Sequence, residues 1–226
     1  MRKVGIVGAA ITEDELKARG EGFELWSMND CHRAWPGVEF TRWYELHTIQ
    51  RKGREFTRRG FDYYPIHGAQ TVKEYLYGLD SLGIPVYMQR RWPREVRQSE
   101  VFPFKEIRKK WGDYFGCSFT WMMAQALLEG VREIGLFGIT FAVHEYYFQR
   151  PSLERMIGYA EGKGIRIRID ESSALLTAPY IYAIGENFDL TYLLHGGFAA
   201  ESAIGLWTGI SDRLADAIIH PEGRDR

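Results

Sequence analysis

The stretch SFTWMMAQALLEGVREIGLFGI, residues 118–139, carries a helical pattern and then a strand pattern with almost nothing between them. Apolar residues recur at helical spacing from Phe119 to Leu128, and Gly130 stands where a C-terminal cap is expected. The apolar run EIGLFGI follows directly. PSLERMIGYAEGKGIRIRI, residues 151–169, repeats the order, with Pro151 at the helix start, Gly162 or Gly164 at its end, and a second strand beyond. Strands alternating with helices imply a mostly parallel sheet covered by helices on both faces. This pattern predicts a Rossmann-like α/β fold.

The rest of the chain fits that plan. Strand patterns are expected at 3–8, 22–30, 42–47 and 83–89, besides those at 133–139 and 164–169. Helices are expected at 12–19, 70–82, 104–111, 118–130 and 151–163. The Rossmann-like domain then covers residues 1–177. Residues 48–69 and 90–103 are basic, aromatic and without clean periodicity, so they read as insertions. Residues 178–226 read as a loop and an amphipathic helix near 198–219, packing on the same domain. That helix covers the sheet edge or joins two copies as a homodimer; a lid is its functional alternative.

Composition narrows the classes. The formal net charge is −1, which gives no whole-chain sign of nucleic-acid or membrane affinity. The basic stretches RKGREFTRR (51–59) and RRWPREVRQSEVFPFKEIRKK (90–110) are the exception. Aromatics reach 15%, which reads first as core packing and second as a surface that stacks on rings or sugars. Cys31 and Cys117 have no CxxC spacing and read as free thiols of a reducing, cytoplasmic setting. No apolar run approaches the roughly 20 residues of a bilayer span, and no signal peptide is evident.

Ligands of open α/β sheets gather beyond the carboxyl ends of the strands. After the first strand come Gly8, Ala9, Ala10 and Thr12, small residues that let backbone N–H groups approach a phosphate. GIVGAAIT lacks both GxGxxG and the GKS or GKT of a P-loop, so it is a ligand-facing turn of another kind. After the second strand, Asn29 reads a base or ribose edge, or caps the next turn; Asp30 would reach a ribose. His47 follows the third strand, as a satisfied structural histidine or a substrate contact. Ser118 begins a helix, and its hydroxyl serves as an N-cap, a phosphate contact, or both. Thr140 follows the strand ending at Ile139.

HEYYFQRP, residues 144–151, is the most site-like segment. Glu145 or His144 would be the general base. Tyr146, Tyr147, Gln149 and Arg150 would place substrate, Arg150 holding an anion against the following helix N-terminus. The six histidines show no HExxH or other metal spacing, so no structural metal is expected.

KVGIVGAAIT, LWSMND, SFTWMMAQALLEGVREIGLFGITF and IRIRIDESSALL, in that order, resemble the skeleton of bacterial family 42 sialyltransferases. It is also similar to MptE-like pterin diphosphokinase and motility accessory factor proteins. ELH, IPVYM and YYFQRP look like segments of a group of tailed-phage proteins. The resemblance implies nucleotide contacts from Gly8, Ala9, Ala10 and Asn29, with Ser118 near the donor phosphate. This chain departs from the sialyltransferases in its poorer glycine loop, in Thr140 where an acid is usual, and in a short segment before Pro151.

The leading reading is a glycosyltransferase using a nucleotide-sugar donor, in a phage setting, with a nucleotide or nucleic acid as acceptor. The basic insertions would hold a polynucleotide by phosphate contacts and stacking. A metal-dependent diphosphokinase is the second reading, and only there is a divalent ion required. A non-catalytic protein that senses or sequesters a nucleotide is the third.

Overall fold

The computed structural model describes residues 2–31, 34–58, 71–141 and 148–177. The chain divides into two compact units, Met1–Thr140 with Phe148–Leu175, and Phe141–Tyr147 with Leu176–Arg226. The first contains the sheet. The helix expected near 198–219 lies outside the described residues.

The elements of the first unit run β1 (Lys3–Val7), α1 (Glu13–Arg19), β2 (Glu24–Met28), β3 (Arg42–Glu45), β4 (Ile49–Lys52), β5 (Glu55–Arg58), α2 (Val72–Asp80) and β6 (Val86–Met88). They continue with β7 (Ser99–Val101), α3 (Phe104–Trp111), α4 (Ser118–Leu128), β8 (Glu133–Phe137), α5 (Arg150–Gly162) and β9 (Arg166–Ile169). Seven strands form one sheet in the order β7-β6-β3-β2-β1-β8-β9, and every pairing in it is parallel. The chain works outward from β1 on one side and then returns to its other edge with β8. The topological switch point therefore lies between β1 and β8.

Two stretches read as irregular insertions carry strands instead. Residues 49–58 form the antiparallel hairpin β4–β5, and residues 99–101 form the edge strand β7. Each strand is three or four residues long, too short for periodicity to mark. The hairpin turns at Gly53, whose φ of 62° suits glycine.

Helices cover both faces. α1 and α2 each open on a Thr-x-x-Glu capping box, Thr12 with Glu15 and Thr71 with Glu74. Leu16 of α1 packs with Val7, Leu25 and Phe137, and Tyr75, Leu76 and Leu79 of α2 pack with Trp43, Val86 and Met88. On the other face Tyr44 stacks on Tyr87 at 5.2 Å, and Phe102 carries the contact on to Trp121 of α4. Much of the aromatic excess is thus core: Trp26, Trp43, Tyr44, Tyr75 and Phe102 are fully buried. Each such burial stabilises the fold by about 1.5–3 kcal/mol.

Two glycines set the sheet's centre. Gly5 and Gly135 are register partners on β1 and β8, and the Phe137 ring lies across both. A Cβ on Gly5 would stand 2.8 Å from that ring and 2.7 Å from Leu25, and one on Gly135 would meet the ring more closely still. At the amino end of the sheet, Arg2 bridges Glu24 and Glu129 while Arg42 bonds Glu129 and lies over Trp26. That end carries charge paired with charge. The carboxyl end carries the candidate site.

Candidate functional site

At the switch point the two loops close on each other. Gly8 donates its N–H to the Phe137 carbonyl at 2.8 Å, and Ala10 donates to the Gly138 carbonyl at 3.0 Å. A Cβ on Gly8 would lie 2.5 Å from the Gly138 oxygen, so both positions are confined to glycine by backbone against backbone. Two of the amides expected to face a phosphate are therefore engaged within the sheet. Thr12 is the N-cap of α1: its Oγ1 accepts from the Glu15 amide and its own N–H goes to the Glu15 carboxylate. Glu13, Asp14 and Glu15 crowd that helix start with negative charge, which opposes a phosphate there. Beside them the Thr140 carbonyl accepts from Ala174, and Asp170 accepts from the Gly138 amide at 2.6 Å and from Arg19 at 2.7 Å.

The densest polar group sits further along, where β2 and β3 end. Glu45 closes β3, and its side chain is wholly buried. One carboxylate oxygen accepts from the His47 amide at 2.9 Å and lies 2.7 Å from His47 Nδ1. The other accepts from Arg58 Nε at 2.7 Å and from the Tyr75 hydroxyl. Burial alone would push this carboxyl up, but the hydrogen bond from His47 and the charge of Arg58 outweigh it and hold it below the usual carboxylate range. Burial beside that carboxylate raises the Tyr75 phenol well above its ordinary value, so it stays a donor.

An ionised carboxylate only accepts, so in the tautomer with the ring proton on Nδ1 that nitrogen donates to Glu45 and Nε2 is left as an acceptor. Arg58 Nη2 also stands 2.9 Å from Nδ1, donor facing donor, and hydrogen-bonds Asn29 Oδ1 at 3.4 Å instead. Asn29 itself is left-handed, φ 54°, and its backbone is clamped to β3: its N–H donates to Tyr44 and its carbonyl accepts from Trp43 Nε1. Asn29 and His47, eighteen residues apart in the sequence, thus meet around Arg58 of the basic run 51–59. Asp30 follows Asn29, and its charge acts on both Arg58 and Tyr75.

A cavity of about 280 Å³ opens between the ends of β3 and β6 and the β4–β5 hairpin. His47, Gln50, Met88, Gln89, Arg90 and Trp92 are among its walls. Gln89 Nε2 donates to the Leu46 carbonyl at 2.9 Å, and the Arg90 guanidinium lies 4.1 Å from the Trp92 ring centre. Three other arginines of the basic stretches are paired: Arg51 with Glu95, Arg91 with Glu100, and Arg97 with Asp80.

On the opposite face of the sheet, α4 and α5 begin side by side. The Gly116 amide donates to Ser152 Oγ at 2.9 Å, and Ser152 Oγ lies 3.0 Å from Thr120 Oγ1. Cys117, not Ser118, is the N-cap of α4; Ser118 is its first helical residue, because Cys117 keeps the extended backbone of a cap. Neither α4 nor α5 has a side-chain cap or an acid in its first turn. Gln149 is the N-cap of α5, and Arg150 Nε bonds Glu154 at 2.6 Å.

His144, Glu145, Tyr146 and Tyr147 lie outside the described residues. Among the described residues no three His, Cys, Asp or Glu are grouped to hold a metal ion, and no helix is long and apolar enough to cross a membrane. Cys31 and Cys117 are free, and burial pushes both thiols up, Cys31 to about 12, so neither supplies a thiolate at neutral pH.

Glu45, Arg58 and Tyr75 went unread in the sequence. The one available signal was an acid closing the aromatic strand RWYE, two residues before a histidine. No protein-family model matches this chain, and no curated protein does. Among solved structures it is similar to the sialyltransferase CstII from Campylobacter jejuni, in complex with a substrate analogue, cytidine-5'-monophosphate. The identity is 11% and the TM-score 0.45, over 75% of this chain and 79% of that one. It is a distant resemblance of fold, and the chemistry rests on this chain's own residues.

Proposed function

We propose that this chain is a glycosyltransferase that moves a sugar from a nucleotide-activated donor to an acceptor hydroxyl, with His47 as the general base. The carrying observation is His47 Nδ1 at 2.7 Å from the buried Glu45 carboxylate, beside a cavity at the carboxyl edge of the sheet. In this reading the acceptor hydroxyl gives its proton to His47 Nε2 while its oxygen bonds the anomeric carbon. The bond from that carbon to the donor phosphate breaks, and its electron pair leaves with the phosphate. Glu45 keeps the ring oriented and stabilises the imidazolium as it forms, an arrangement worth about 10²–10⁴-fold in rate. Arg58 and Tyr75 keep Glu45 ionised in its dry setting.

The donor would lie across the ends of β1 and β2, with Asn29, Asp30, Ala9 and Thr140 as its neighbours. The uncapped starts of α4 and α5, with Ser118, Gln149 and the neighbouring Arg150, are better suited to its phosphate than the acidic start of α1. Glu145 and His144 remain rival bases, and Tyr146 and Tyr147 candidate substrate contacts. The experiment is turnover of a panel of nucleotide sugars, with and without chelator, by the wild type, His47→Gln, His144→Gln and Glu145→Gln. Turnover lost in His47→Gln alone supports this assignment. Loss in Glu145→Gln or His144→Gln alone moves the base to that residue. Loss with chelator supports a phosphotransferase, and nucleotide binding without turnover supports a sensing or sequestering protein.

A further inference from the structure

The cavity between β3, β6 and the hairpin has walls of one electrostatic character. Among the described residues that line it there is no carboxylate. Its cation is Arg90, whose contacts are the face of Trp92 at 4.1 Å and the Ile49 carbonyl at 3.3 Å. Among the described residues no acidic group is paired with it, whereas the nearby Arg58 is bound to Glu45 at 2.7 Å and Arg97 to Asp80 at 2.8 Å. Arg90 is exposed and Trp92 is buried, so the guanidinium is anchored over the ring and by the Ile49 carbonyl, with its other N–H donors available to a ligand. A guanidinium fixed in that way matches the two oxygens of a carboxylate or phosphate.

His47, Gln50, Gln89 and Thr48 supply the remaining polar lining, and Met88 and Ile49 the apolar part. The amide of Gln89 is already oriented by the Leu46 carbonyl and by Thr48 Oγ1 at 3.3 Å. Hydroxyls suit such a wall, because amides and a histidine can each donate to or accept from them. At about 280 Å³ the space is at the lower limit for a drug-sized ligand, which favours a compact molecule over a polymer segment.

We propose that this cavity binds a small polyhydroxylated oxyanion, a sugar phosphate or sugar acid, with its anionic group on Arg90 and a hydroxyl toward His47. Its identity as the acceptor rests on the transferase reading; its existence as a binding site does not. Arg90 selects the substrate by charge, and His47 acts on it.

The test measures binding by calorimetry of glucose, glucose 6-phosphate, glucuronate and inorganic phosphate to the wild type, Arg90→Gln and His47→Gln, at low and moderate salt. Glucose 6-phosphate or glucuronate should bind at least tenfold more tightly than glucose. Arg90→Gln should abolish that difference with little change in melting temperature, because among the described residues the exposed Arg90 side chain makes one hydrogen bond, to the Ile49 carbonyl, and one ring contact, with Trp92. His47→Gln should keep the anion preference. Equal binding of glucose and its anionic forms, a preference that survives Arg90→Gln, or no binding of any of the four probes overturns the proposal. Inorganic phosphate binding alone, without gain from the sugar, also overturns it. Anion-selective binding in a protein that turns over no nucleotide sugar leaves the site standing and removes the transferase.

Discussion

Arg58 Nε meets Glu45 Oε2 at 2.7 Å with both side chains withdrawn from water, 7% and 0% exposed. The two residues belong to different sheets, one closing β3 and the other closing the hairpin. Removing one partner of such a pair leaves a buried charge without its counter-ion. Arg58→Met should destabilise the chain by about 3–5 kcal/mol, read from urea unfolding. The double variant Arg58→Met with Glu45→Leu should recover part of that loss; a double variant worse than the sum of the singles would deny the coupling.

Acid should act through the same carboxylate. Glu45 has a lower pKa in the native state than in the unfolded chain, so the unfolded chain binds its proton first. Its stabilising contribution is complete above the ordinary carboxylate range and is lost as pH falls through that range toward the native value. The acid limb of stability against pH should therefore be shallower in Glu45→Gln than in the wild type. Urea midpoints between neutral and acid pH measure this, and parallel limbs would speak against it.

Chemistry and stability should separate at His47. Its ring is more than a third exposed and a glutamine amide can still donate to Glu45, so His47→Gln should cost little stability while lowering kcat by about 10²–10⁴-fold. Tyr75→Phe should do the reverse in part. It removes a buried donor from Glu45 and should cost about 1–3 kcal/mol of stability, with a smaller effect on rate. Steady-state kinetics beside thermal unfolding tells the two patterns apart.

The sheet centre makes a separate prediction. Gly135→Ala drives a methyl into the buried Phe137 ring and should cost about 1–3 kcal/mol. Adding Phe137→Leu should restore some of it by making room. If the single variant melts with the wild type, the ring does not lie across the two glycines.

The parallel sheet could be read from the sequence because its signals are local. SFTWMMAQALL followed by EIGLF shows a helix period and then an apolar run, whatever the rest of the chain does. The strands at 3–7, 24–28, 42–45, 86–88, 133–137 and 166–169 all fall within the stretches expected. β4, β5 and β7 did not show, since each is only three or four residues long and carries no apolar run. The polar cluster was hidden because its members are distant in sequence. Glu45, Arg58 and Tyr75 come from a strand, a hairpin and a helix, and only the packing of α2 and the hairpin on β3 brings them together. His47 and Asn29 were visible because a rule about strand ends singles them out one at a time.

The strand order also has a consequence for how the protein is made. β1 is synthesised first and pairs on one side with β2, but its other edge belongs to β8, with Lys3 opposite Glu133. On the ribosome, five of the seven strands can therefore assemble while β1 still presents a bare apolar edge to solvent. That edge closes only when Glu133–Phe137 has emerged, so a pause or truncation before β8 leaves a nascent chain inclined to pair with its neighbours.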